Sequence, residues 1–100
     1  MTPDRFIDAL EQHNESAYLK FAHIPTERRL SQRPDLHVFQ LLDQLVPGSH
    51  NIVSGAEHDV IWLEVSVEDL ADVITEEQIL DLARCGVMYN NETESLRMFA

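Results

Sequence analysis

The sequence predicts an α+β fold: N-terminal helices, a small antiparallel sheet of about three strands, and a short acidic helical pair between the first and second strands. Three observations carry this prediction. Residues 34–46 place apolar side chains at helical spacing, residues 59–65 alternate as a strand does, and residues 66–86 hold two helix-capping signals in succession. A chain of 100 residues suits one modest core, so we expect a single domain over residues 1–100.

The first third of the chain is predicted to be a helix followed by a polar connector. Thr2 can cap the helix and Pro3 suits its first position, and an apolar stripe follows. Residues 17–24 fit both a helical face and the alternation of a strand. We favour a helix there, which Pro25 ends in either case because it forces the preceding residue out of the helical conformation. Residues 25–34 form the connector.

The second helix and the strands have clearer boundaries. Pro34 and Asp35 open the helix, and the Pro-Gly pair at 47–48 closes it. Residues 49–59 are predicted to be a loop or a short edge strand. The strand that follows has two faces, which are Ile61, Leu63 and Val65 on one side and Val60, Trp62 and Glu64 on the other. Residues 87–89 and 96–99 form a terminal hairpin around the turn NNETES.

The acidic helical pair is marked by the stretch SVEDLADVITEEQILDLARCG. Ser66 and Thr75 each lie three residues before an acidic or amide side chain, which is the spacing of a reciprocal N-terminal cap. Gly86 can end the second helix in a left-handed conformation. Two short helices are therefore expected here.

The charge of the chain is strongly negative. Eighteen acidic residues face seven Lys and Arg, for a net charge of −11 at pH 7. Such a chain is repelled by a phosphate backbone and by an anionic membrane, so we expect no direct nucleic-acid or membrane partner. A basic protein surface would attract it. The alternative is that the charge serves solubility alone.

The acids are concentrated in one part of the sequence. Residues 34–83 contain eleven acids and no Lys or Arg. The functional interpretation is an acidic surface that binds a basic partner. The candidate partner-binding residues are Glu64, Asp69, Asp72, Glu76, Glu77 and Asp81, with Trp62 as an apolar anchor if it is exposed. The alternative is that first-turn acids complement helix dipoles and the others lie on solvated faces.

Arg28, Arg29 and Arg33 form a basic cluster in the connector. They could bind a phosphate or a nucleotide. They could also pair with the chain's own acids or, in a homodimer, with the acids of a second copy. Pairing with acids is favoured, because the segment has no glycine-rich loop and no helix N-terminus.

Enzymatic and cofactor chemistry has little support. No glycine-rich phosphate loop is present, and Cys85 is expected to be a buried residue at a helix end. His50, His58 and Asp59 could converge on a metal only if the intervening residues turn tightly, and we favour a polar loop without metal. A helix-turn-helix over 66–86 is excluded by its acids. No catalytic residue, cofactor or metal is therefore predicted.

The C-terminal half, HDVIWLEVSVEDLADVITEEQILDLARCGVMYNNETESLRMF, resembles small acidic proteins encoded by tailed bacteriophages and prophages. The resemblance implies a bacterial cytoplasm and an accessory role, such as inhibition of a host defence. The start of the chain lacks a secretory leader and a long apolar run, which also favours the cytoplasm.

Together these observations predict a non-enzymatic acidic protein that binds a basic, nucleic-acid-binding surface of a host protein. The alternatives are a self-associating module and a small-molecule or nucleotide binder that uses the arginines of the connector.

Overall fold

The computed structural model describes residues 1–16 and 19–99, and within them the chain forms four α-helices and four β-strands. The helices are α1 (Pro3–Asn14), α2 (Pro34–Leu45), α3 (Val67–Val73) and α4 (Glu76–Arg84). The strands are β1 (Val53–Glu57), β2 (Val60–Leu63), β3 (Val87–Asn90) and β4 (Ser95–Phe99). The predicted α+β class is confirmed.

The sheet is antiparallel in the order β1-β2-β4-β3, with one more strand than expected. The additional strand is β1, which lies in the segment predicted to be a loop or a short edge strand. Its sequence VSGAE lacks a strand-like apolar pattern, and its pairing with β2 shifts register between Val53 and Gly55. Backbone hydrogen bonding defines β1, and side-chain pattern alone does not reveal it.

The helix ends follow the local capping chemistry. Thr2 and Ser66 each accept a hydrogen bond from a backbone N–H in the first turn of the helix that follows. Thr75 and Gln78 form both halves of the capping box, with N···O distances of 3.2 and 2.9 Å. Gly86 has φ of +86°, so the predicted left-handed end of α4 is confirmed.

The helix favoured for residues 17–24 is not present in the part of that segment that the structure describes. Phe21–His23 forms one 3₁₀ turn, and Lys20 before it is extended with φ of −142°. Residues 17 and 18 lie outside the described residues. A second 3₁₀ turn, Thr26–Arg28, lies in the predicted connector. Pro25 between these turns prevents a continuous helix.

The two faces of the sheet differ in what covers them. Leu63 and Met98 are 0 % and 2 % exposed and belong to the same core cluster as the buried residues of the helices. Trp62 and Arg97, the next positions along β2 and β4, are cross-strand partners and point to the opposite face. The two strand faces predicted by the alternation in residues 60–65 are present, and the helices pack on one of them.

The core joins every helix to the covered face of the sheet. Its most completely buried side chains include Phe6 and Leu10 of α1, Leu42 of α2, Leu70 of α3 and Leu82 of α4. Among the described residues, no helix is both long enough and apolar enough to cross a membrane.

Candidate functional site

The acids predicted on the helical pair are divided between surface and interior. Asp69 and Asp72 on α3 and Glu76 and Glu77 at the start of α4 are exposed. Asp69, Glu76 and Glu77 lie in first turns, where the helix dipole favours a carboxylate, whereas Asp72 lies in the last turn of α3. All four are available to solvent, so they can form part of a docking surface.

Asp81 requires a correction, because its side chain is buried and paired within the chain. The residue is 3 % exposed. Arg28 donates to both of its carboxylate oxygens at 3.1 Å, from Nε and Nη2, and Arg84 Nη1 donates to Oδ1 at 3.1 Å. Glu77 lies 3.9 Å from Arg28 Nη1 and stays largely exposed. Asp81 is thus a structural residue and lies outside the docking surface.

The three arginines of the connector have separate roles, so their described contacts do not form an anion site. Arg28 binds Asp81, which raises the pKa of the guanidinium. Arg29 donates to the carbonyls of Ile24 and Ala22 at 2.8 Å, which fixes the 3₁₀ turn before it. Arg33 is exposed at the N-cap of α2. Among the interpretations of the basic cluster, pairing with the chain's own acids fits Arg28.

A second group of acids lies on α1, where the sequence interpretation did not place a site. Asp4, Asp8, Glu11 and Glu15 are exposed and follow each other at intervals of four, three and four residues. This spacing puts them on one side of a helix. The helical spacing of these four acids is visible in the sequence, but they lie outside the base-free segment 34–83 from which the docking surface was predicted.

The acids of α1 lie next to those of the helical pair. Helix α1 contacts both α3 and α4. Asp8 and Glu76 line one shallow cleft between α1 and α4, together with Arg5. We call this surface the acidic helix layer. It comprises Asp4, Asp8, Glu11, Glu15, Glu68, Asp69, Asp72, Glu76 and Glu77.

Trp62 and Glu64 are not part of the acidic helix layer. Trp62 is half-buried on the uncovered face of the sheet, where the Arg97 guanidinium lies 5.8 Å from its ring centre. Glu64 follows the end of β2 and is exposed. By the alternation of the strand, its side chain lies on the same side as that of Trp62. The predicted partner-binding residues therefore divide between two faces of the molecule.

In the part of the chain that the structure describes, the remaining reactive groups do not form a site. Burial raises the pKa of the Cys85 thiol to about 12, so the thiolate that nucleophilic chemistry needs is disfavoured. His50, His58 and Asp59 are exposed, and no group of three His, Cys, Asp or Glu suited to a metal exists within residues 1–16 and 19–99. The acidic helix layer is the arrangement with the clearest capacity to bind a partner.

The geometry of the acidic helix layer is the basis for a functional hypothesis, because the comparisons with known proteins return no match. No protein-family model, curated protein or solved structure matches the chain.

Proposed function

We propose that the protein is a non-enzymatic binding protein whose acidic helix layer docks on the basic, nucleic-acid-binding surface of another protein. The observation that carries the proposal is the juxtaposition of exposed acids from three helices. Asp8 of α1 and Glu76 of α4 share one cleft, and α1 also contacts α3. Electrostatic complementarity of this kind accelerates association with a basic surface and orients it.

Most Lys and Arg side chains have partners within the chain, which leaves the acidic helix layer negatively charged. Four of the seven Lys and Arg have partners within the chain. Arg28 and Arg84 bind Asp81, Arg29 binds backbone carbonyls, and Arg97 lies over Trp62. The helices α1 and α3 contain one basic residue between them, Arg5.

Three positive groups still lie close to the acidic helix layer. Arg5 lines the cleft with Asp8 and Glu76, Arg28 lies 3.9 Å from Glu77, and the Met1 ammonium donates to the Ala71 carbonyl. The carboxylates of the layer outnumber them.

The spacing of the acids on α1 suits a partner that normally binds a phosphate backbone. Residues 4–15 hold four carboxylates along one side, which at about 1.5 Å of rise per residue is one charge per roughly 5.5 Å. A strand of duplex DNA carries one phosphate per about 3.4 Å of helix axis. The two linear charge densities differ by less than a factor of about two, so α1 can occupy a groove lined with Lys and Arg.

The biological setting we propose follows from the resemblance of the C-terminal half to proteins of tailed phages and prophages. In that setting the protein acts in the bacterial cytoplasm and inhibits a host protein that handles nucleic acid. Occupation of the host protein's basic groove would exclude its nucleic acid by direct competition.

The test compares two charge-reversed variants of equal net charge. Asp72→Lys combined with Glu76→Lys alters the acidic helix layer. Asp43→Lys combined with Glu92→Lys makes the same change in charge at exposed positions outside it. Proteins retained from a bacterial lysate by the wild-type chain are purified, and each is tested for binding to both variants and for displacement by duplex DNA.

We expect a partner that binds the wild-type chain and the control variant but not the variant altered in the acidic helix layer. DNA should displace this partner. Its affinity should fall steeply with salt, because exposed charges are screened beyond about 10 Å at 0.1 M ionic strength. Partners that bind both variants equally, or that DNA does not displace, would refute the proposal.

A further inference from the structure

A small cleft lies between the connector, α2 and α4, and the residues that line it are distinct from those of the acidic helix layer. Its volume is about 220 Å³, and its lining includes Glu27 and Leu30 of the connector, His37 and Leu41 of α2, and Gln78 of α4. This is the share of about seven water molecules in the liquid. Sites for drug-sized ligands measure about 300 to 1,000 Å³, so the cleft suits a smaller molecule.

The buried end of the cleft carries a hydrogen-bond donor without an acceptor. His37 is buried, and its Nδ1 accepts a hydrogen bond from the Leu30 N–H at 3.1 Å. Because Nδ1 accepts, the ring is neutral and its proton lies on Nε2. This Nε2 is buried and has no hydrogen-bond partner within residues 1–16 and 19–99. Buried polar groups are almost always hydrogen-bonded, so a bound molecule with an acceptor oxygen would meet an unfilled requirement there.

The other uncharged and acidic groups of the cleft supply one more donor and one acceptor. Gln78 uses its Oε1 to accept from the Thr75 N–H at 2.9 Å, which leaves its amide N–H groups to donate. Glu27 is exposed at the rim, and its carboxylate is in no ion pair of the described residues. Asp81 is already engaged, because both of its oxygens accept from arginines. The cleft therefore offers donors inside and a free acceptor at its edge.

The charges at the cleft favour an uncharged ligand. Arg28 and Arg84 oppose Asp81, Glu27 and the exposed Glu77, so a small negative excess is left. An anion would lie near these carboxylates in a chain with a net charge of −11. A simple cation has no acceptor to offer the buried imidazole. An uncharged molecule with both an acceptor oxygen and an N–H group matches the cleft.

We propose that this cleft binds a small, uncharged amide. The carbonyl oxygen of the ligand accepts from His37 Nε2 at the buried end and from the Gln78 amide. Its N–H donates to Glu27 at the rim, and its alkyl part lies against Leu30 and Leu41. An amide places the acceptor and the donor on one planar group, as this arrangement requires.

Isobutyramide is the probe, because its six non-hydrogen atoms fit the volume and its branched alkyl group suits the two leucines. Isotope-labelled wild-type protein is titrated while NMR follows the His37 side-chain Nε2 and the backbone amides of Leu30 and Gln78. We expect saturable shifts at millimolar concentration that include Nε2. Isobutyrate, which has the same shape and a negative charge, should bind more weakly.

Three outcomes of this titration would overturn the proposal. The first is the absence of saturable shifts. The second is isobutyrate binding as tightly as isobutyramide, which would indicate an anion site. The third is a titration that leaves the His37 Nε2 resonance unchanged, as expected if water alone satisfies that donor.

A variant at the rim tests the orientation of the ligand. Glu27→Ala should weaken isobutyramide binding by about fivefold, because it removes the acceptor for the N–H of the ligand. Glu92→Ala, which removes an exposed carboxylate from the turn before β4, is the matched control and should bind as the wild type does. N,N-dimethylisobutyramide has no N–H, so its affinity should be the same for Glu27→Ala and the wild type. Equal affinity of isobutyramide for these two proteins would contradict the proposal.

The amide cleft and the acidic helix layer can be tested separately. Asp72→Lys combined with Glu76→Lys alters the layer, and neither residue lines the cleft. This variant should bind isobutyramide as the wild type does. Failure of the proposed docking on a basic partner is therefore distinguishable from failure of the amide site.

Discussion

At the scale of single residues, Asp81 organises the junction between the connector and α4. One buried carboxylate accepts hydrogen bonds from Arg28 and Arg84, which lie 53 residues before it and three after it. A buried carboxylate is tolerated when charged donors satisfy it, and removal of its charge leaves two guanidinium groups without their partner. Electrostatic interactions therefore help to hold the connector against α4.

Asp81→Asn should lower the free energy of unfolding by about 3 kcal/mol, because it breaks a buried, hydrogen-bonded ion pair. Urea denaturation followed by circular dichroism measures the change. Glu77→Gln is the control, since this carboxylate is exposed and 3.9 Å from Arg28, and it should cost less than about 1 kcal/mol. Equal effects of the two substitutions would contradict the structural role of Asp81.

His37 should make stability depend on pH. The residue is 2 % exposed, and its Nδ1 accepts a hydrogen bond from the Leu30 N–H at 3.1 Å. Burial lowers the pKa of His37 below its ordinary 6.5, although Asp81 acts in the opposite direction. The folded state thus binds this proton less readily than the unfolded chain does. The contribution of His37 to stability is complete above pH 6.5 and declines as the pH falls from there through the folded-state pKa.

The measurement is the free energy of unfolding between pH 7.5 and 5 for the wild type and for His37→Gln. The variant retains an acceptor for Leu30 but does not titrate, so its loss of stability over this range should be smaller. His50→Gln, at an exposed loop residue, should behave as the wild type does. Identical pH profiles for the wild type and His37→Gln would disprove the account.

At the scale of elements, features that depend on neighbouring residues could be predicted from the sequence, and features that depend on residues distant in sequence could not. The capping box at Thr75 and the left-handed end at Gly86 are local signals, and the structure contains both. Strand β1 has a weak pattern of its own and depends on pairing with β2. The burial of Asp81 depends on Arg28, which is distant in sequence, so no local pattern identifies it.

The acidic helix layer was predictable in part for the same reason. The acids of α3 and α4 are dense in the sequence, and the stripe on α1 has a helical spacing that could have been recognised. Their proximity depends on the packing of α1 against α3 and α4, which is a tertiary property. Trp62 lies on the opposite strand face from Ile61 and Leu63, as predicted, but burial under a helix was the default expectation, and the helices cover the other face. Its separation from the acids of the helices is a property of the tertiary fold.

Thr75→Ala should lower the free energy of unfolding by about 1 kcal/mol through loss of the side-chain acceptor at the start of α4. Thermal denaturation by calorimetry provides the measurement. Ser49→Ala, in the exposed loop after α2, removes a hydroxyl without a capping role and should change stability by less than about 0.5 kcal/mol. A Thr75→Ala variant as stable as Ser49→Ala would show that the capping box contributes little.

At the scale of the whole molecule, the fold separates two surfaces of different character. The acidic helix layer carries nine exposed carboxylates on or next to helices that pack against one face of the sheet, and the uncovered face carries Trp62 and Arg97. Salt should weaken an association of a basic partner with the acidic helix layer.

The most direct test of the proposed function maps the binding surface by NMR. Isotope-labelled protein is titrated with a purified basic partner that nucleic acid displaces, and the backbone amide shifts are followed. The account predicts the largest changes along α1, α3 and the start of α4, including Asp8, Asp72 and Glu76, with little change in β3 and β4. Shift changes confined to the sheet, or spread evenly over the molecule, would contradict it.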